Sequence, residues 1–182
     1  DGFTRMALDG CEDLELTDRS RHIARALAVH LPADPTTAMH TIVAALGAPL
    51  GDTLEGMDAF RYMPYGHWVA EHGLAAVETA LDLQHALTQR FTAEFSIRAF
   101  IQQAHEPTMA RLRRWAVDEN HHVRRLVSEG TRPRLPWAPV LRDFVADPSP
   151  ILPLLEALKD DPSDYVRRSV ANNLNDIAKD HP

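Results

Sequence analysis

The sequence predicts an all-α protein built as a stack of antiparallel helix pairs, and three observations carry that prediction. First, Asp118-Glu119-Asn120-His121-His122-Val123-Arg124-Arg125 returns 43 residues later as Asp161-Pro162-Ser163-Asp164-Tyr165-Val166-Arg167-Arg168. Second, apolar residues recur at helical spacing along the chain, and no stretch reads as a strand. Third, the 13 prolines suit helix starts and connections. Helix-pair repeats with a period of about 40–47 residues are HEAT-like; they stack into a right-handed superhelix whose concave face carries function. Residues 1–182 are therefore expected to form a single HEAT-like repeat domain.

The first expected helix covers 17–31, with Thr17 placed to cap it and Ile23, Leu27 and Leu31 recurring every four residues. Pro32 and Pro35 end it, and a second helix over 36–46 stops at Gly47 and Pro49. Residues 50–66 read as a loop holding Phe60, Tyr62 and Tyr65, with Trp68 just inside the next helix. These rings are expected to pack between repeats. Further helices are expected at about 64–72, 75–90 and 92–104. Pro107 is expected to break the chain before a helix at 108–117, where Trp115 packs between helices. His121–Gly130 is the next helix, and the proline-spaced run Thr131–Trp137 is a loop. Short helices are expected at 138–145 and 150–159. Ser163 is placed to cap the last helix, which runs to about residue 179.

On that last helix Val166, Val170, Leu174 and Ile177 share one face, which must pack on the helix before it. Arg168, Asn172 and Asp176 are expected on the opposite, exposed face. On the 121–130 helix Val123, Leu126 and Val127 point inward while Arg125 and Glu129 project outward. There they suit an i, i+4 ion pair worth ~0.3–0.5 kcal/mol.

The net charge of −7 argues, by itself, against nucleic acid, but the charge is unevenly spread. Residues 1–87 carry 5 basic and 13 acidic side chains, and residues 143–182 carry 4 and 8. Residues 88–142 hold 10 arginines against 5 acids. A local zone made of Arg alone suits bidentate phosphate contacts. The single cysteine, Cys11, excludes an internal disulfide and a Cys-rich metal site. Neither His121-His122 nor His67 and His72 have ligand spacing, and there is no HExxH, Gly-rich phosphate loop or nucleophile motif. No apolar run reaches the ~18–20 residues that span a membrane, and no signal peptide is visible, so a reducing compartment is expected. The chain starts without Met and stops at Asp180-His181-Pro182, and is expected to be part of something longer.

Four segments resemble one family: VRRLVSEGTRPRLPW (123–137), YVRRSVANNLNDIAKDHP (165–182), RFTAEFSIRAFI (90–101) and FRYMPYGHWVAEHG (60–73). They are similar to the AlkC-type DNA alkylation repair glycosylases, a branch of the HEAT-like AlkC/AlkD superfamily, from about residue 14 onward. The resemblance implies hydrolysis of the N-glycosidic bond of cationic alkylated bases in duplex DNA. These are chiefly 3-methyladenine, with 3-methylcytosine and related adducts as further substrates. It also implies helices that grip bent DNA and reach the lesion without a deep pocket for a flipped base.

By motif, the family's carboxylates fall on Glu94, Glu129 and Asp176. Asp176 and Glu129 are expected nearest the sugar and water, with Glu94 assisting, and the identity of the base stays open. Arg98, Arg124, Arg125, Arg132, Arg134 and Arg168 are expected to offset these carboxylates and hold phosphates. Trp137 is expected to stack on a nucleotide or cationic base. The implied partner is alkylated double-stranded DNA, in the cytoplasm and on the nucleoid during repair. No metal, cofactor, membrane or obligate protein partner is implied. The family continues past AKDHP with further repeats and, in some members, an Ig-like domain, so this chain is expected to be truncated at its C-terminus. Two other readings stand beside this one: a catalytically silent HEAT-like DNA-binding or damage-sensing module, and a protein-binding scaffold with an apolar or acidic groove.

Overall fold

The computed structural model describes residues 2–49 and 58–182, and every described element is helical. The part of the expected 50–66 loop before residue 58 lies outside the described residues. The chain divides into two compact units, residues 1–91 and 92–182.

The first unit holds α1 (Gly2–Leu8), α2 (Leu16–His30), α3 (Pro35–Ala45), α4 (Met63–His72) and α5 (Val77–Thr88), with short 3-10 turns between them. Helix α2 packs on α4 and α1, and α3 packs on α5. Helix α2 starts one residue before Thr17, with Glu15 at its cap position and no side-chain cap bond, so Thr17 does not cap it. Helix α3 is capped by Asp34, which accepts from the Thr37 N–H, and Pro35, expected to end the helix before, instead opens this one. Within this unit Tyr62 and Trp68 are buried, and Phe60 lies 5.3 Å from Phe91.

The second unit holds α6 (Ile97–Gln103), α7 (His105–Trp115), α8 (His121–Gly130), α9 (Arg142–Ala146), α10 (Leu152–Leu158) and α11 (Asp164–Ile177). Helix α6 starts five residues later than 92, because the Thr92 side chain accepts from the Glu94 N–H and holds a turn there. Pro107 does not break the chain. It sits in the first turn of α7, where a helix needs no N–H donor. Helix α9 waits until residue 142, past Pro139.

The 43-residue repeat is structural. Asp118 Oδ1 accepts from the Asn120 N–H at 2.8 Å, and Asp161 Oδ1 accepts from the Ser163 N–H at 2.8 Å. Ser163 occupies the cap position of α11 without a side-chain cap bond, so it does not cap the helix as expected; Asp161 holds the turn before it. The first Arg of each copy reaches back to the same turn. Arg124 donates to the Asp118 and Glu119 carbonyls, and Arg167 to those of Asp161 and Pro162. Arg124 also forks onto Asp161, at 2.6 and 3.0 Å, and so staples one copy to the next.

The packing faces are rotated from their expected positions. Helix α11 packs on α8 with Val166, Ser169, Val170, Asn173, Asp176 and Ile177 buried, whereas Leu174 is 44% exposed. Asp176 is thus inside, apart from the exposed Arg168 and Asn172. Glu129 is buried on α8 as well. The stripe is wide enough to include polar positions because α8 supplies them with partners across the interface. Gly130 lets α8 end against α6: a Cβ there would lie 2.5 Å from Ile97 Cγ2.

Candidate active site

The α8–α11 interface of the second unit gathers the candidate carboxylates, together with the turn that precedes α6. Glu129 comes from the last turn of α8 and Asp176 from the last turn of α11. Glu94 comes from the turn before α6. The three are threaded on two guanidiniums. Arg125 ion-pairs with Glu94 and lies 3.6 Å from Glu129. Arg132 donates from Nη1 to Glu129 Oε1 at 2.7 Å and from Nε to Asp176 Oδ2 at 2.9 Å. Lys179 ends the series at 3.0 Å from Asp176 Oδ1. Adjacent carboxylates are therefore separated by a single guanidinium.

The electrostatics of the series are those of desolvated charges held by their neighbours. Burial works to raise the Asp176 carboxyl, but the bonds from Arg132 and Lys179 outweigh it and hold the group below the usual carboxylate range. Burial likewise works against the cations of Arg125 and Arg132, and the carboxylates around them more than restore it. The Tyr165 ring faces Arg125 at 5.2 Å, and burial, together with Glu94 and Glu129, pushes its phenol up. The histidines His121 and His122 pack edge-on to the same ring.

The expected DNA-contacting residues separate into distinct groups. Arg98 is corrected outright. It is 2% exposed, and it donates to the carbonyls of Gly130, Arg132, Pro133 and Pro139. Burial and the Arg132 cation push its guanidinium down to about 10. It ties down the 130–139 loop, and its N–H donors are taken by those carbonyls rather than offered to DNA. Arg124 has its guanidinium bound to Asp161 and two carbonyls, which makes it a staple between the copies. Arg125 and Arg132 belong to the carboxylate series. Arg134 pairs with Asp180, and Arg168 with Asp164 on the open surface. Trp137 is 98% exposed at φ 62° in the loop that Arg98 holds, a left-handed conformation that costs a bulky side chain energy. Trp115 is buried, as expected for packing.

Sequence reasoning missed the polar residues that support the series. Ser169 donates to Glu129 Oε2 at 2.6 Å, and Ser128 donates to Ser169 at 2.7 Å. Asn173 donates to the Ser128 carbonyl and to Thr131. Thr92 donates to Glu94 Oε2 at 3.0 Å. The available signal was Ser169 and Asn173 at helical spacing with Asp176 on one stripe.

The fold and these residues define a helical repeat protein of the HEAT class, and a HEAT-repeat family profile matches residues 151–181, which include α10 and α11. Within that class the chain is similar to AlkC. A solved structure of Pseudomonas fluorescens alkylpurine DNA glycosylase AlkC, bound to DNA containing an abasic site analog, is 36% identical with a TM-score of 0.85. That match covers 100% of this chain and 48% of the AlkC chain. The uncharacterized protein YhaZ of Bacillus subtilis (strain 168) is 40% identical over 177 residues, 97% of this chain and 47% of YhaZ. The chain spans about half the length of the relatives it matches. Among the described residues no helix is long and apolar enough to cross a membrane.

Proposed function

We propose that this chain carries the active site of an alkylpurine DNA glycosylase that hydrolyses the N-glycosidic bond of cationic bases such as 3-methyladenine, with 3-methylcytosine as a further substrate. The observation that supports this best is the series Glu94–Arg125–Glu129–Arg132–Asp176, three carboxylates bridged by two guanidiniums. Methylation at N3 puts a positive charge on the base, so it leaves with the bonding electron pair and needs no proton. The sugar is left as an oxocarbenium ion. Carboxylates at that ion stabilise its charge, and one of them accepts the proton of the attacking water.

Carboxylates beside a polyanion repel it unless cations offset them. Arg125, Arg132 and Lys179 match the three carboxylates one for one, and the buried Arg98 adds a further cation beneath. Arg134 and Arg168 lie nearer solvent and suit phosphate contact by exchanging Asp180 and Asp164 for DNA. Trp137 suits stacking on an unpaired base, which an exposed ring on a tethered loop does at little entropic cost.

The experiment is release of 3-methyladenine from methylated duplex DNA by the intact protein and by Asp176→Asn, Glu129→Gln and Glu94→Gln. We expect at least a hundredfold slower release in Asp176→Asn and Glu129→Gln, with DNA binding kept. DNA binding without release by the wild type moves the reading to a silent DNA-binding module.

A further inference from the structure

We propose that Ser169, itself held by Ser128, is a positioning residue that sets the orientation of the Glu129 carboxylate. The proposal rests on the glycosylase reading above. Glu129 is buried, and each of its oxygens has its own donor. Oε1 takes the Arg132 Nη1 proton at 2.7 Å, and Oε2 takes the Ser169 hydroxyl at 2.6 Å.

The direction of the chain of hydroxyls follows from the chemistry. A carboxylate oxygen only accepts, so the one Ser169 proton goes to Glu129. Ser169 then accepts on its other side, where Ser128 Oγ lies at 2.7 Å. The competing acceptor for the Ser128 proton, the Arg125 carbonyl, is farther away at 3.1 Å. Ser128 precedes Glu129 on α8, so the link leaves α8, crosses to α11 and returns to the neighbouring side chain. One turn along α11, Asn173 ties itself to the Ser128 carbonyl at 2.8 Å and to Thr131 at 3.1 Å. That contact holds the register that brings Ser169 to Glu129.

A buried hydroxyl with a merely structural role commonly bonds back to its own helix, as Thr108 does to the Ala104 carbonyl and Thr131 to that of Val127. Ser169 instead directs its proton across the interface. This matters because the terminal torsion of a Glu side chain is soft. With Ser169 removed, the Glu129 carboxylate is free to turn toward Arg125, already 3.6 Å away. The one proton of the Ser169 hydroxyl is committed to Glu129, so its loss acts through Glu129.

The test uses the intact protein and measures two quantities on methylated duplex DNA: the single-turnover rate of 3-methyladenine release, and the Kd for the same duplex bearing an abasic analogue. Ser169→Ala is expected to slow release about tenfold or more, the size of a lost hydrogen bond to a charged group, and to leave Kd within about twofold. Ser128→Ala is expected to slow it less, and the double variant no more than Ser169→Ala alone, because Ser128 acts through Ser169. Ser169→Cys keeps the size and a weaker donor, is expected to fall between, and decides the matter where the alanine variant does not fold. Release at the wild-type rate from folded Ser169→Ala overturns the positioning role. So does a loss of rate and binding by the same factor. Absence of release from the wild type overturns the glycosylase reading and this role with it; an active wild type beside an unaffected variant overturns only the role.

Discussion

Arg132→Met removes the cation shared by two buried carboxylates. Glu129 is 5% exposed and Asp176 1%, and each takes one Arg132 hydrogen bond. Breaking a buried pair costs about 3–5 kcal/mol, because the partner left behind keeps its desolvation penalty. Lys179 remains on Asp176, but its side chain is mostly in water and offsets only part of the loss. The lower end, about 3 kcal/mol at pH 7, is therefore expected. For a chain of this length that lowers Tm by about 6–12 °C.

The loss must also depend on pH, and its sign can be worked out. In the wild type the Asp176 carboxyl is held below its unfolded value, so its contribution is present above about pH 3.9 and is lost as pH falls through the lower folded value. Without Arg132, the burial that works to raise this group is opposed by Lys179 alone, so its folded value moves up toward the unfolded one and the stability difference between the two proteins shrinks as pH falls from 7 toward about 4. Urea unfolding of both proteins across that range measures the difference. A loss under about 1 kcal/mol at pH 7, or one of constant size down to pH 4, would refute the reasoning. Asp176→Asn in the same background is expected to restore part of the stability, since it removes the stranded charge.

Asp161→Asn cuts the staple between the repeat copies and is expected to cost about 2–4 kcal/mol in urea unfolding at pH 7. Burial opposes the Asp161 charge, but the Arg124 fork and the Ser163 N–H hold its carboxyl low. The wild type should therefore lose this contribution as pH falls below about 4, and the variant should lack that loss. Gly130→Ala forces a methyl against Ile97 and is expected to lower stability by about 1–3 kcal/mol; adding Ile97→Ala should cost less than the sum of the two. Trp137→Ala is expected to leave the unfolding free energy within about 0.5 kcal/mol, because the ring is almost wholly in water. Under the DNA reading the same change weakens binding to the abasic duplex by about 5- to 100-fold.

Local chemistry was readable wherever a residue acts on its own turn or helix. His121–Gly130 emerged with its expected ends, because Asn120 caps it and the apolar period is clear. The errors at Thr17 and Pro107 share a cause, since both lie in a first helical turn, where a cap or a proline is tolerated at several neighbouring positions. The face of α11 was misjudged at Leu174 and Asp176 because a period of 3.6 gives a stripe but not its edges. Those edges are set by which polar groups the facing helix can satisfy.

The sequence by itself determined the helical class, the 43-residue repeat and, through its motifs, the three carboxylates to consider. These rest on spacings within about one turn, or on repetition along the chain, and both survive in one dimension. The tertiary structure decided that Glu94 meets Arg125 across 31 residues, and that Ser169 meets Glu129 across 40. It also decided that Arg98 and Arg124 spend their charge inside the protein. Arginines in one basic segment look alike in sequence. What distinguishes an internal clamp from a surface cation is the burial of the guanidinium and the acceptors around it, and both are created when helices from distant parts of the chain pack together.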